Sequence, residues 1–149
     1  MKIEIKKCEF NDSNIKAVIK LSQEWERETI TYGYCANDKN DLASKDLFIA
    51  YFDDKIVGYL FGKCLAIEET IVPIEKSTKY FEIDEIYVKK KYSSKGIGQA
   101  LFEFIENHYK QKVDYITLST ATKNYKSILH FYIEKMNMTF WSAKLFKKI

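Results

Sequence analysis

Gly96 and Gly98 close the run Lys89-Lys90-Lys91-Tyr92-Ser93-Ser94-Lys95-Gly96-Ile97-Gly98, and an amphipathic helix follows with Ile97, Leu101, Phe104, Ile105 and His108 along one side. Glycine lets a backbone approach a ligand closely, and the uncapped amides that open a helix, here near Gly96 to Gln99, present the positive end of its dipole. Such a place attracts phosphate. Lys89, Lys90, Lys91 and Lys95 stand around it, so the one strongly single-signed run of the chain lies beside the expected anion site and suits a multiply phosphorylated ligand. The competing reading is a solvated lysine face with an ordinary turn. Two familiar phosphate sites are excluded: Leu101 occupies the third-glycine position of a dinucleotide fingerprint, and no Gly-x-x-x-x-Gly-Lys-Ser/Thr loop exists.

The elements that position this turn follow from hydrophobic periodicity. Residues 2–8 alternate as a strand, and Asn11-Asp12-Ser13-Asn14 supplies cap candidates for a helix carrying Ile15, Val18, Ile19 and Trp25, ending near Thr29. Residues 32–44 read as loop or short helix. Residues 45–52 and 55–66 form a hairpin about Asp53-Asp54, and 79–89 is the strand that feeds the glycine turn. After the helix come a strand at 114–119, a second amphipathic helix at 124–135, and a last strand at 139–147 with Phe140, Trp141 and Phe146. The order β-α-β-β-β-α-β-α-β predicts an α/β (α+β) fold on a mixed sheet, with residues 1–149 as one domain.

Composition agrees with a globular, ring-rich core: of 149 residues 46% are hydrophobic and 15% aromatic, and the net charge of +3 is too small to imply nucleic-acid binding. Cys8, Cys35 and Cys64 are odd in number and widely spaced, without a signal peptide, and predict reduced thiols in a cytoplasmic protein. Cys64, in an apolar strand, is expected as a small core residue. The apolar runs are far shorter than the roughly 20 residues of a membrane-spanning helix. His108 and His130 each stand alone on a helix, so no metal site is expected.

Ile83-Asp84-Glu85-Ile86-Tyr87-Val88, followed by Tyr92 to Leu101, resembles the acetyl-CoA-binding motif A of the Gcn5-related N-acetyltransferase (GNAT) superfamily. Tyr115 to Ser119, Asn124, Ser127 and Phe131-Tyr132-Ile133-Glu134-Lys135 are similar to its motif B, and the opening strand, helix and hairpin fit its usual start. The resemblance covers nearly the whole chain. It implies a central sheet that splays, acetyl-CoA as cosubstrate, and an amine as acceptor. Backbone groups of Ile86, Tyr87 and Val88 would meet the pantetheine, and the amides of Ser94, Lys95, Gly96, Ile97, Gly98 and Gln99 the pyrophosphate. Asn124 and Ser127 would reach the cofactor from the second helix. The chain departs from the family at Ser93, where the motif usually carries Arg or Gln and the shorter hydroxyl implies a weaker cofactor contact or one made by Lys95 instead, at Lys90 in place of a frequent proline, and at Asn137-Met138 in place of glycine and an aromatic. The spacing from Asn124 to Tyr132 is one residue longer than the commonest pattern.

Transfer to an amine needs a neutral nucleophile, a stabilised oxyanion and a proton for the departing thiolate. Glu82, Asp84 and Glu85 are the candidate bases, with Glu85 and Asp84 ranked first because an acidic pair at this place resembles polyamine N-acetyltransferases. Strict alternation separates Glu85 from the other two, unless a bulge intervenes. The plainer reading makes each acid a solvated residue or a partner of Lys79 or Lys89. The Val88 amide is the expected oxyanion donor. Tyr132, with Tyr125 behind it, is the expected acid, its hydroxyl reaching the sulfur only if the second helix absorbs an extra residue in a bulge. Glu24, Glu26, Glu28, Asp38 and Asp41 would draw a cationic amine, small molecule or peptide. A non-catalytic acyl-CoA-binding or regulatory module is the alternative, neither nucleic acid nor membrane is expected as a partner, and a homodimer is left open.

Overall fold

The computed structural model describes residues 1–69, 71, 73–75 and 78–149. Five strands form one sheet in the order β1-β2-β3-β4-β5: β1 Ile3–Cys8, β2 Asp46–Phe52, β3 Lys55–Ala66, β4 Lys79–Val88 and β5 Tyr115–Leu118. The first four pair antiparallel, and β5 joins β4 in parallel after the crossover through helix α3, Ile97–Tyr109. Helices α1, Asp12–Glu28, and α2, Lys39–Leu42, lie between β1 and β2 in the chain. The last helix, α4 at Tyr125–Leu129, continues directly into a π-helical turn at His130–Lys135.

Strand β2 is buried on both faces, which is why its sequence is almost wholly apolar. Leu47 and Ile49 join Val18, Leu21 and Phe61 under α1, whereas Phe48, Ala50 and Phe52 join Leu101, Phe102 and Ile105 of α3. The hairpin turn places Asp53 at φ 48° and Asp54 at φ 67°, the two left-handed positions that a two-residue loop of matching twist needs. Helix α1 begins where Asn11 accepts a bond from the Asn14 amide at 2.9 Å, and stops at Thr29, whose φ is 53°.

Two expectations are corrected. Residues 139–147 form no strand; the chain runs on from Met138 without regular structure and leaves Phe140, Trp141, Leu145 and Phe146 exposed. Its apolar residues come as adjacent pairs, Phe140-Trp141 and Leu145-Phe146, so no single face collects them, and strand propensity without a packed partner does not suffice. Cys64 is exposed because β2 pairs with β3 only as far as Gly62, and the end of β3 beyond it pairs with β4 alone.

Candidate active site

The parallel pairing of β4 with β5 ends at Ile83↔Leu118, while β4 continues to Val88. From Asp84 onward that edge of β4 has no strand beside it among the described residues, which is the expected splay. Lys89 donates its amide to Val57 of β3 at 2.8 Å. Successive amides of a strand point to opposite edges, so the Val88 amide faces the opened edge, as the Ile86 amide does.

Across the sheet, Phe61 pairs with Glu85 and Gly62 with Ile83, so Asp84 is an extra residue with no partner on β3. This bulge reverses the alternation. Ile83 packs into the α3 core, yet Glu85, two residues on, turns to the α1 side with Tyr87. Glycine makes this close approach feasible, since a Cβ on Gly62 would stand 2.0 Å from the Glu82 carbonyl oxygen.

The three candidate acids therefore have different surroundings. Asp84 is exposed and ion-paired with Lys45, rather than with Lys79 or Lys89. Glu82 is half-buried, opposite Lys63 on one side and Thr117 on the other. Glu85 is the one built into a polar cage: its Oε1 accepts from Tyr59 Oη at 2.7 Å, Tyr34 Oη at 2.9 Å and Asn37 Nδ2 at 2.9 Å. Burial raises the Glu85 carboxyl above its ordinary range, and the three donors only partly offset this. Burial, with the Glu85 charge beside it, likewise pushes the Tyr59 hydroxyl up, so that it stays a donor.

Sequence reasoning missed Tyr34, Asn37 and Tyr59 altogether. Tyr34 and Asn37 lie in a stretch that reads only as loop or short helix, and Tyr59 in one arm of the hairpin; no spacing links them to Glu85. Trp25, one of the apolar positions of the first helix, is stacked between Tyr34 (centroids 4.0 Å apart) and Tyr87 (5.4 Å) and walls a cavity of about 420 Å³ lined also by Thr31, Tyr32, Cys35 and Lys123. The segment bearing these rings is tied to the β5–α4 loop by Tyr32 N–H to Ala121 O at 3.0 Å and Lys123 N–H to Ile30 O at 2.7 Å.

The acids of the acceptor side divide. Asp38 and Asp41 cap α2 reciprocally, a structural use. Glu24 pairs with Lys89 at 3.6 Å, and Glu28 lies against Tyr87 with one carboxylate oxygen buried and without a partner among the described residues.

At the glycine turn, Gly96 is the N-cap of α3 with φ 79°, a left-handed position, and no side chain caps the helix. The amides of Gly96, Ile97, Gly98 and Gln99 precede the first intrahelical bond, Ala100 N–H to Gly96 O; Gly96 and Gln99 are exposed and Gly98 half-buried, whereas Ile97 has no exposed surface. The Lys95 amide instead bonds Tyr92 O at 3.2 Å, and the Ser93 hydroxyl donates to Lys90 O at 2.9 Å. Lys95 Nζ lies over the Phe52 ring. A Cβ on Gly98 would meet the Phe131 ring at 3.7 Å, an ordinary contact, so packing within the protein does not require glycine there.

Asn124 is the N-cap of α4 but its side chain caps nothing, and Ser127 is exposed. The extra residue of the second helix is absorbed in the π-helical turn, marked by Met136 N–H to Phe131 O at 3.0 Å. Tyr132 is buried against Phe102 within the α3 core, with its hydroxyl pushed up by burial; Tyr125 is exposed. Among the described residues no group of three or more His, Cys, Asp or Glu could hold a metal ion, and no helix is long and apolar enough to cross a membrane.

A splayed mixed sheet, an uncapped glycine turn into α3 and an acid beside the opened strand edge define an acyl-CoA-type transferase scaffold. The chain belongs to the acetyltransferase (GNAT) family, whose profile matches residues 10–138. Solved structures agree in fold. An aminoglycoside acetyltransferase from an uncultured soil metagenomic sample superposes with a TM-score of 0.71 at 15% identity, over 99% of this chain and 96% of that one. A ribosomal-protein-alanine N-acetyltransferase from Brucella melitensis biovar Abortus 2308 gives 0.70 at 15%, over 99% and 100%. A search of the curated proteins found no match.

Proposed function

We propose that the protein moves the acetyl group of acetyl-CoA to the primary amine of a small cationic molecule or peptide by direct attack. The family uses acetyl-CoA, and this chain offers a fitting cradle. The free amides from Gly96 to Gln99, with Ser94 and Lys95 beside them, would take the pyrophosphate, Ile86, Tyr87 and Val88 the pantetheine, and Asn124 and Ser127 a flanking contact. Bound there, acetyl-CoA supplies the thioester whose carbonyl carbon accepts the amine.

The observation that carries the reading is Glu85: a caged carboxylate on β4, next to the edge that the splay opens. As base, it takes the proton of the acceptor ammonium, a task for which a carboxyl raised by burial is better matched to neutral pH. The Val88 amide stabilises the oxyanion, and Tyr132, kept protonated, is the donor assigned to the leaving thiolate. Asp84, with its charge met by Lys45, ranks behind Glu85. The neighbours' names span aminoglycosides and ribosomal-protein alanine, so the acceptor is chosen by this chain's own lining, where the rings of Trp25 and Tyr34 stand beside the Glu26 carboxylate and favour a cation.

The test is a thiol-release screen of acetyl-CoA against a panel of polyamines, aminoglycosides, amino acids and peptides, with CoA affinity measured alongside. Turnover on a cationic amine that is lost in Glu85→Gln supports the reading. CoA binding with no turnover on any amine supports a binding module instead.

A further inference from the structure

Three donors converge on one oxygen of Glu85, whereas a carboxylate oxygen has only two lone pairs in its plane. Oε1 is therefore closed to any further donor, and no described residue bonds Oε2. The cage is itself anchored. Asn37 is buried and donates its backbone amide to Ser22 Oγ at 2.9 Å, while Ser22, with no exposed surface, donates to Ile19 O at 2.9 Å within α1. Tyr59 has no exposed surface either, and its hydroxyl lies 3.3 Å from that of Tyr34. So α1, the segment after it and β3 all fix the plane of one side chain on β4.

We propose that Tyr34, Asn37 and Tyr59 are positioning residues for the transfer: together they occupy Oε1, lock the carboxylate and leave Oε2 as the atom that receives the acceptor's proton. This rests on Glu85 being the base, although the cage itself can be tested without that assumption. Proton transfer demands a heavy-atom separation near a hydrogen bond, and a carboxylate free to rotate would offer either oxygen at random. The donors also favour the charged form that a base must have, against burial and against the charge of Asp41 on α2. Other charges on the surrounding elements are Asp84, met by Lys45, Glu24, met by Lys89, and Glu28, which α1 brings against Tyr87. Removing one hydroxyl therefore does two things at once: it loosens the carboxylate and raises the pH at which it ionises.

The experiment is a carbon-13 NMR pH titration of protein labelled at the glutamate carboxyl carbon, with the Glu85 signal assigned by its loss in Glu85→Gln. Tyr59→Phe and Tyr34→Phe should each move the Glu85 midpoint to higher pH, and kcat/KM on the acidic limb should fall by about 10-fold while the alkaline plateau changes much less. A packing role alone would lower thermal stability and leave the midpoint where it was. Tyr34 is only half-buried, so its variant serves if Tyr59→Phe does not fold. An unmoved midpoint in a folded variant overturns the proposal. If the midpoint moves but Glu85→Gln keeps wild-type turnover, the cage stands and Glu85 is not the base.

Discussion

Gly62 and Glu82 meet so closely across the bulge that a methyl group on Gly62 would lie 2.0 Å from the Glu82 carbonyl oxygen and 2.9 Å from its carbon. Both are backbone atoms and cannot swing aside. Gly62→Ala should therefore destabilise the protein by about 1–3 kcal/mol, the usual cost of overpacking, and lower turnover further by displacing Glu85. Urea unfolding checks the first part; an unchanged midpoint would mean that the bulge relaxes freely.

The neighbouring acids should separate in kinetics. Glu85→Gln is expected to lower kcat/KM by about 100-fold or more with CoA affinity nearly intact, because the carboxylate faces the amine and not the phosphates. Asp84→Asn removes a surface ion pair with Lys45, worth at most about 1 kcal/mol, and should leave the rate within a few-fold. Glu82→Gln is the third arm. Wild-type rates in all three variants would send the search for the base elsewhere.

Stability should move in the opposite direction to activity at Glu85. A carboxyl held above its ordinary range binds its proton more tightly in the folded protein than in the unfolded chain. Its contribution is thus fully present below the unfolded pKa and is lost as pH rises through the folded one. Glu85→Gln keeps an oxygen for the three donors and cannot ionise, so its melting temperature relative to wild type should increase from acid to neutral pH. Thermal unfolding at several pH values reads this, and a melting temperature of Glu85→Gln that falls relative to wild type as pH rises would contradict it.

Cofactor affinity should depend on Gly96 for conformation rather than for space. No atom lies within 4 Å of a Cβ built there, but φ is 79°, and a β-branched residue at such an angle costs about 1–2 kcal/mol. Gly96→Val should reshape the turn and weaken CoA binding sharply, and Lys95→Glu should weaken it by charge. Calorimetric titration with CoA is the measurement; unaltered affinity in folded Gly96→Val would move the phosphate site away from α3.

Tyr132→Phe removes one oxygen from a well-packed ring. If that hydroxyl protonates the leaving thiolate, turnover should fall by about 10-fold or more with folding and CoA affinity unchanged. A rate within about twofold of wild type, flat along the alkaline limb of the pH profile, would make Tyr132 a core residue only.

What the sequence determined by itself is whatever local chemistry decides. The Asn11 cap, the Asp53-Asp54 turn, the left-handed Asn137 at φ 58° and the glycine entry to α3 are set by residues within a few positions of one another. The extra residue before Lys135 likewise announced a distortion, and the π-helical turn absorbs it. Tertiary structure decided the rest. Which face Glu85 occupies depends on a bulge between β3 and β4, where Gly62 lies close against Glu82, and no period read along β4 contains that information. The cage of Tyr34, Asn37 and Tyr59 joins residues 26 to 51 positions from Glu85, each unremarkable in its own segment. The final strand failed for the converse reason: Phe140, Trp141 and Phe146 have strand-type side chains, but burial against a neighbour, which is what makes a strand, has to come from the rest of the fold.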